Sequence, residues 1–151
     1  MNMHDIIQFD KIYLAATDPC VRHALLLQFM FPDDVRKRQS IFHFHVSKNA
    51  KEKAEVCALN VGYVHSEGNL SWFHVWDGKE YVKYYLDFSM KYSVALLEPM
   101  DFRLCHERWL VNPLHIQTIS NDGFHYLLKN DVKIPIARRH KDDIKDLSVF
   151  P

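Results

Sequence analysis

The side chains best suited to chemistry lie in two segments near the carboxyl end of this 151-residue chain. Residues 105–108 read Cys-His-Glu-Arg between two short apolar runs, and residues 133–140 end in a basic cluster that contains Arg138 and Arg139. Successive strand residues point to opposite faces, which disfavours a Cys105–His106 nucleophile–base pair. His106 is better explained as a turn residue that positions its neighbours. The pattern therefore indicates a binding surface at strand ends, and we expect no enzyme activity.

A second group of side chains could in principle bind a metal ion. His43 and His45 fall on one face of a period-two segment, and Cys57 and His65 could be imagined as further ligands. The same alternation simply places both histidines on the polar face of a half-buried strand. We expect the second explanation to hold, with no metal and no cofactor.

Bulk composition narrows the class of protein. The 19 basic and 19 acidic residues give a formal net charge of zero, which argues against nonspecific coating of nucleic acid but permits a local basic face. Three widely spaced cysteines indicate a reducing, cytoplasmic setting. The longest uncharged apolar run, residues 24–31, is far below the roughly 20 residues of a membrane span. We therefore expect a cytoplasmic protein that does not contact a membrane.

Residues 1–39 differ from the rest of the chain in the secondary structure that their sequence pattern predicts. Residues 11–16 predict a buried strand, and Asp18-Pro19 predicts the start of a helix with an apolar stripe that ends before Pro32. Residues 34–39 read as a charged linker or a last helical turn. We place a boundary near residue 39, between an N-terminal strand–helix extension (1–39) and a β domain (40–151).

From Ser40 onward the pattern is that of many short strands. Apolar and polar residues alternate at residues 42–46, which predicts a strand. Further strands are predicted at 56–58, 61–66, 70–76 and 79–84, and Asp77-Gly78 is a strong signal for a hairpin between the last two. A short helix at 87–97, strands at 102–105, 117–120, 124–128 and 132–137, and a last helix at 139–147 complete the prediction. The fold class is mainly β: an elongated antiparallel β-sandwich of about eight to ten short strands with short helices, plus the N-terminal strand–helix appendage.

Four segments in order, at 61–69 (VGYVHSEGN), 77–79 (DGK), 102–112 (FRLCHERWLVN) and 129–139 (KNDVKIPIARR), have the order and spacing of a known family. With them, residues 40–147 resemble the LytTR-type DNA-binding domain of bacterial transcription regulators. The resemblance implies antiparallel sheets that read double-stranded DNA through loops, without catalysis or a small-molecule substrate. It also implies a homodimer or paired protomers on DNA.

Position by position, the resemblance implies three DNA-facing segments: the turn Gly68–Ser71, the turn His106–Arg108, and Ala137–Arg139 with Lys141. The implied contact residues are Asn69, Ser71, His106, Glu107, Arg108, Arg138, Arg139 and Lys141. Arg138 or Arg139 could pair with the O6 and N7 edge of guanine, and Arg108 and Lys141 could bind phosphates. Alternatively, the arginine pair could merely solvate the start of a final helix. This chain departs from the family at Glu107, where a basic or amide residue is usual, and also at His65, Trp109 and Ala137.

Two alternatives remain open from sequence. The neutral charge and Glu107 also suit a protein-interaction or dimerisation module of the same fold that has lost DNA binding, with an interface that includes residues 21–31. Residues 11–22 resemble the first strand and helix of a receiver domain, of whose acidic cluster only Asp18 is present. A dimer contact or accessory strand–helix unit is the simpler use of this segment.

Overall fold

A computed structural model describes residues 17–138 of the protein. The described helices are α1 (Pro19–Met30), α2 (Val35–Ile41) and α3 (Met90–Leu97). The strands are β1 (His43–Ser47), β2 (Lys53–Cys57), β3 (Val61–Glu67), β4 (Leu70–Trp76), β5 (Tyr81–Leu86), β6 (Arg103–His106), β7 (Trp109–Val111), β8 (Thr118–Ile119), β9 (His125–Leu127) and β10 (Lys133–Pro135). Short 3-10 turns occupy Ala58–Asn60, Glu98–Met100, Pro113–His115 and Lys129–Asp131. The predicted strand at 11–16 and the helix at 139–147 lie outside the described residues.

Local capping explains where the first two helices begin. The Asp18 carboxylate accepts from the backbone N–H groups of Cys20 and Val21 at 2.9 and 3.1 Å, and Pro19 occupies the first helical position. This confirms the predicted start of α1. Asp34 likewise accepts from the Lys37 N–H at 3.0 Å, so residues predicted as a linker or a last helical turn form a separate helix.

All strand pairs in the described chain are antiparallel and form two sheets. The large sheet has seven strands in the order β2-β1-β5-β4-β3-β7-β6, and the small sheet has three in the order β10-β9-β8. Turn residues close the hairpins as predicted: Gly78, at φ 104°, follows Asp77, whose carboxylate accepts from the N–H groups of Lys79 and Glu80. The prediction of a mainly β, antiparallel fold with short helices is confirmed.

Each face of the large sheet packs against a different layer, because successive strand residues alternate between the two faces. The helix face lies under the three helices, in a cluster that includes Val21, Ala24, Phe42, Phe44, Val64, Phe73, Val94, Leu97 and Leu110. The opposite face packs on the small sheet around Tyr63, Cys105, Val111, Tyr126, Leu128, Ile134 and Ile136. We call the part of this second face that lies over β4 and β5 the open face, because its side chains remain partly or fully exposed.

A buried polar network joins α2 to the β layers. The Gln39 and Asn112 side chains exchange hydrogen bonds of 3.0 and 2.8 Å, and Asn112 also donates to the Val61 carbonyl. Arg38, 1% exposed, donates to the Phe31, Pro32 and Pro99 carbonyls and pairs with Asp101 at 2.9 Å. The described part of residues 1–39 therefore shares one core with the sheet. A domain boundary near residue 39 stays a prediction.

Candidate nucleic-acid interface

An irregularity in β6 shapes the first of the three predicted DNA-facing segments. The pairing of β6 with β7 shifts register between Leu104 and His106, which leaves Cys105 as an extra residue in the strand. Such a bulge bends the strand and re-aims the residues that follow it. His106 pairs with Trp109, so Glu107 and Arg108 form the tip of the β6–β7 turn, and both are exposed.

The β3–β4 turn lies directly beside this tip. Glu67 pairs with Leu70, which leaves Gly68 (φ 60°) and the exposed Asn69 at the turn. The Ser66 N–H donates to the Arg108 carbonyl oxygen at 3.0 Å. Backbone hydrogen bonding thus fixes two of the predicted segments side by side.

The third segment is held by the bulge itself. The Ala137 N–H donates to the Cys105 carbonyl at 2.8 Å, and the next residue, Arg138, is exposed. Three segments that are distant along the chain therefore meet at one end of the large sheet. We call the exposed residues there, Asn69, Glu107, Arg108 and Arg138, the tip surface. Arg139 and Lys141 lie outside the described residues.

Two predicted residues need a different description. Ser71 is fully buried on the helix face of β4, where its hydroxyl donates to the Phe88 carbonyl at 2.9 Å. It is not available to DNA, because the strand's alternation turns it away from the tip surface. His106 is only partly exposed, and its Nδ1 is buried without a hydrogen-bond partner among the described residues. It lies at the base of the turn rather than at its tip.

The charge of this region is mixed rather than purely cationic. Glu67 and Glu107 are exposed beside Arg108 and Arg138, and His65 Nδ1 lies 3.7 Å from the Glu67 carboxylate. Burial lowers the pKa of His65; Glu67 raises it, and the positive charges of Lys83 and Arg108 lower it further. The Arg108 and Lys83 cations therefore both act on His65 from close range.

Sequence reasoning missed one lysine close to the tip surface. Lys83 lies on the open face, with its ammonium 4.6 Å from the centre of the Trp72 ring. Lys48 and Lys51 belong to the β1–β2 turn. Ser47 pairs with Tyr85, and because β1 and β5 are antiparallel, this turn runs from Tyr85 toward Lys83 and away from the tip end of β5. Alternation within β5 could have suggested Lys83. The lysines of the β1–β2 turn could not be placed without knowing that β1 pairs with β5.

The side chains considered for catalysis and for metal binding serve other roles. Burial raises the pKa of the Cys105 thiol to about 12, which keeps it protonated and a poor nucleophile. His45 Nε2 lies 3.8 Å from Glu55, and the Cys57 thiol donates to the Gln39 carbonyl. Among residues 17–138, no three His, Cys, Asp or Glu side chains are grouped so that they could hold a metal ion. No helix in that same range is long and apolar enough to cross a bilayer.

Two antiparallel sheets that bring three loops together at one end define the class of fold, a β domain with a surface built from loops. Residues 59–148 match the sequence pattern of the LytTr DNA-binding domain family, and the chain belongs to that family. A solved structure described as the LytTr DNA-binding domain of a methyl-accepting/DNA response regulator from Bacillus cereus is similar to it. The identity is 20%, the TM-score is 0.57, and the match covers 72% of this chain and 97% of that chain. No curated protein matches.

Proposed function

We propose that this protein is a transcription regulator that binds double-stranded DNA sequence-specifically through the tip surface. The observation that supports it most is the meeting of three loops at one end of the sheet, held by the Ser66–Arg108 and Ala137–Cys105 hydrogen bonds. The family is non-catalytic, and no cofactor or small-molecule substrate is needed for binding. Access to bacterial DNA implies a cytoplasmic location.

The exposed side chains differ in the part of the DNA that their chemistry suits. Arg138 has the planar guanidinium that pairs with the O6 and N7 edge of guanine, and Arg139 is the alternative for that role. Arg108, Lys83 and Lys141 supply charge for phosphates, which fixes register without reading sequence. Asn69 can contact either a base or a phosphate.

The test begins with a duplex selected from a randomised pool by the purified full chain. Fluorescence anisotropy over a range of salt concentrations then gives the affinity and its salt slope. Arg138→Ala is expected to cost about 1–3 kcal/mol on the selected duplex and much less on a scrambled one. Arg108→Ala is expected to weaken both and to reduce the salt slope by about 0.9.

The matched control is Lys79→Ala, an exposed lysine in the β4–β5 turn at the opposite end of the sheet. It should leave the affinity and the slope unchanged. If the tip and control variants weaken binding equally, the tip surface is not the interface. If the selected duplex binds no better than a scrambled one, the protein does not recognise sequence.

Glu107 provides a second test of the same surface. A carboxylate beside a phosphate is repulsive, but it can accept a hydrogen bond from the cytosine amino group. We propose the second role, because Glu107 lies at the outermost position of a loop whose neighbour already supplies a guanidinium. Glu107→Gln should then lower affinity for the selected duplex while scrambled DNA binds slightly better. A variant that binds both duplexes more tightly would assign Glu107 to repulsion alone.

We also propose that two protomers act together. Leu26, Phe29 and Met30 form an apolar stripe on the outer side of α1, and they are 52%, 84% and 54% exposed. A stripe of this kind suits contact with a second copy of the chain. The same stripe supports the alternative function, a dimerisation module without DNA binding. Sedimentation of the wild type and of Phe29→Glu, with and without the selected duplex, separates the two: only a regulator gives a DNA-bound species.

A further inference from the structure

A pocket of about 340 Å³ opens at the end of the large sheet opposite the tip surface. Segments far apart in sequence line it: α2, the turn Ala58–Asn60, the end of β4, residues 114–117 and the turn Lys129–Asp131. The pocket thus lies where the helix layer, the large sheet and the small sheet meet. Junctions of this kind and size are where small-molecule sites commonly form.

The charge in this pocket has one sign. Arg36 and Lys129 both line it, and none of the described lining residues is acidic. Among residues 17–138 neither cation forms an ion pair. The amides of Asn60 and Gln117 add hydrogen-bond donors to the lining, and Leu59, Leu114 and Ile116 add apolar surface.

Side-chain contacts hold the turn that carries Lys129 in place. Lys129 lies with its ammonium 4.9 Å from the centre of the Trp76 ring. The two residues after it, Asn130 and Asp131, both have φ of 59°, in the left-handed region that asparagine and aspartate adopt more readily than other residues with a side chain. The Asn130 side chain donates to the Lys79 carbonyl at 2.8 Å, which anchors this turn on the β4–β5 turn. The fold thus determines the backbone conformation next to Lys129.

The His115 ring forms the floor of the pocket, and hydrogen bonds to both of its nitrogens hold it in place. His115 Nε2 lies 2.8 Å from the Leu59 carbonyl, and its Nδ1 lies 2.9 Å from the Tyr81 hydroxyl. The carbonyl can only accept, so Nε2 donates to it, and Nδ1 of the neutral ring accepts from Tyr81. Burial lowers the pKa of His115; the hydrogen bond to the Leu59 carbonyl raises it, and the positive charges of Lys129 and Arg36 lower it. Both cations therefore act on the same floor residue.

We propose that this pocket binds a small organic anion, with its anionic group between Arg36 and Lys129 and its apolar body against Trp76 and Leu114. A carboxylate or a phosphate monoester supplies the charge equally well, since a guanidinium and an ammonium pair with both. Trp76 is six positions from Leu70 along β4, or roughly 20 Å from the tip surface. A ligand there does not occupy the DNA-contact region, and the site does not depend on DNA binding.

The test uses three probes on the full chain without DNA: benzoate, phenyl phosphate and benzamide. Benzamide is nearly isosteric with benzoate but neutral, so the pair isolates the charge. The readout is the indole N–H signal of each of the three tryptophans in a two-dimensional NMR spectrum, with Trp76 assigned through Trp76→Phe. Benzoate and phenyl phosphate should shift the Trp76 signal with saturation, and benzamide should bind at least about 10-fold more weakly.

Arg36→Gln and Lys129→Gln should each weaken benzoate binding by about 5- to 10-fold, since each removes one charge partner. Lys79→Gln, an exposed lysine outside the pocket, should leave it unchanged. Any of three results would overturn the proposal: equal binding of benzoate and benzamide, unchanged affinity in either charge variant, or no Trp76 shift up to about 20 mM probe. Because the assay contains no DNA, its failure leaves the proposed function untouched, and a failure of DNA binding leaves the pocket untouched.

Discussion

Replacement of His74 by glutamine should remove much of the acid sensitivity of folding. The His74 ring stacks on Tyr63 with 4.0 Å between ring centres and an interplanar angle of 10°. Burial, followed by the positive charges of Lys83 and His65, lowers its pKa from 6.5 to about 4. The folded state therefore keeps the ring neutral in a pH range where the unfolded chain binds a proton.

The sign and size of the effect follow from that difference. Since the unfolded state binds more protons between pH 6.5 and about 4, the free energy of unfolding falls as the pH drops through this window. The full shift corresponds to about 3 kcal/mol, and some 2.5 kcal/mol of it is lost by about pH 4.5. His74 is partly exposed, so we expect about 2 kcal/mol after allowance for solvent screening.

The measurement is urea unfolding of wild type and His74→Gln at several values between about pH 7.5 and 4.5. The variant should lose about 2 kcal/mol less over this range than the wild type. His45→Gln, at an exposed position on β1, is the matched control and should follow the wild type. Parallel loss of stability in wild type and His74→Gln would mean that folded His74 binds its proton normally, and the reasoning from burial would be wrong.

Three further substitutions test the packing of the scaffold by urea unfolding at neutral pH. Gly62→Ala places a methyl carbon against the Tyr81 ring, 2.9 Å from Cζ, so the free energy of unfolding should fall by about 1–3 kcal/mol. An unchanged urea midpoint would refute this contact. Asn112→Ala leaves the buried Gln39 side-chain oxygen without the donor that Asn112 supplies and should cost about 2 kcal/mol or more, and addition of Gln39→Ala should cost less than its effect alone. Asp18→Ala removes the α1 cap and should cost about 1 kcal/mol, whereas Asp18→Asn, which can still cap, should cost clearly less.

Local signals in the sequence predicted most of the elements. Asp18-Pro19 marked the start of α1, and Asp77-Gly78 marked the β4–β5 hairpin, because caps and turns depend on residues that are close along the chain. The bulge at Cys105 was not predicted, because an extra residue inside a four-residue strand does not visibly interrupt the alternation of apolar and polar residues. It nevertheless anchors the segment that positions Arg138.

The candidate site was predictable only in part, for the same reason. The family resemblance indicated three loops that the structure brings together. It also carried over Ser71 with the turn Gly68–Ser71, whereas the pleat of β4 turns that side chain toward the helices. The position of the β1–β2 turn could not be predicted, because it depends on the pairing of β1 with β5, a contact between segments distant in sequence. Long-range pairings of this kind leave no periodic signal in either strand.

The helix face has a practical consequence for anyone who cuts this chain by its family match. Residues 59–148 begin after α1, α2, β1 and β2, yet those elements supply much of the covering of Phe73 and Leu110. A fragment limited to the matched range would expose apolar surface to water and would be prone to aggregation. A fragment made to study the tip surface should therefore include residues 19–57.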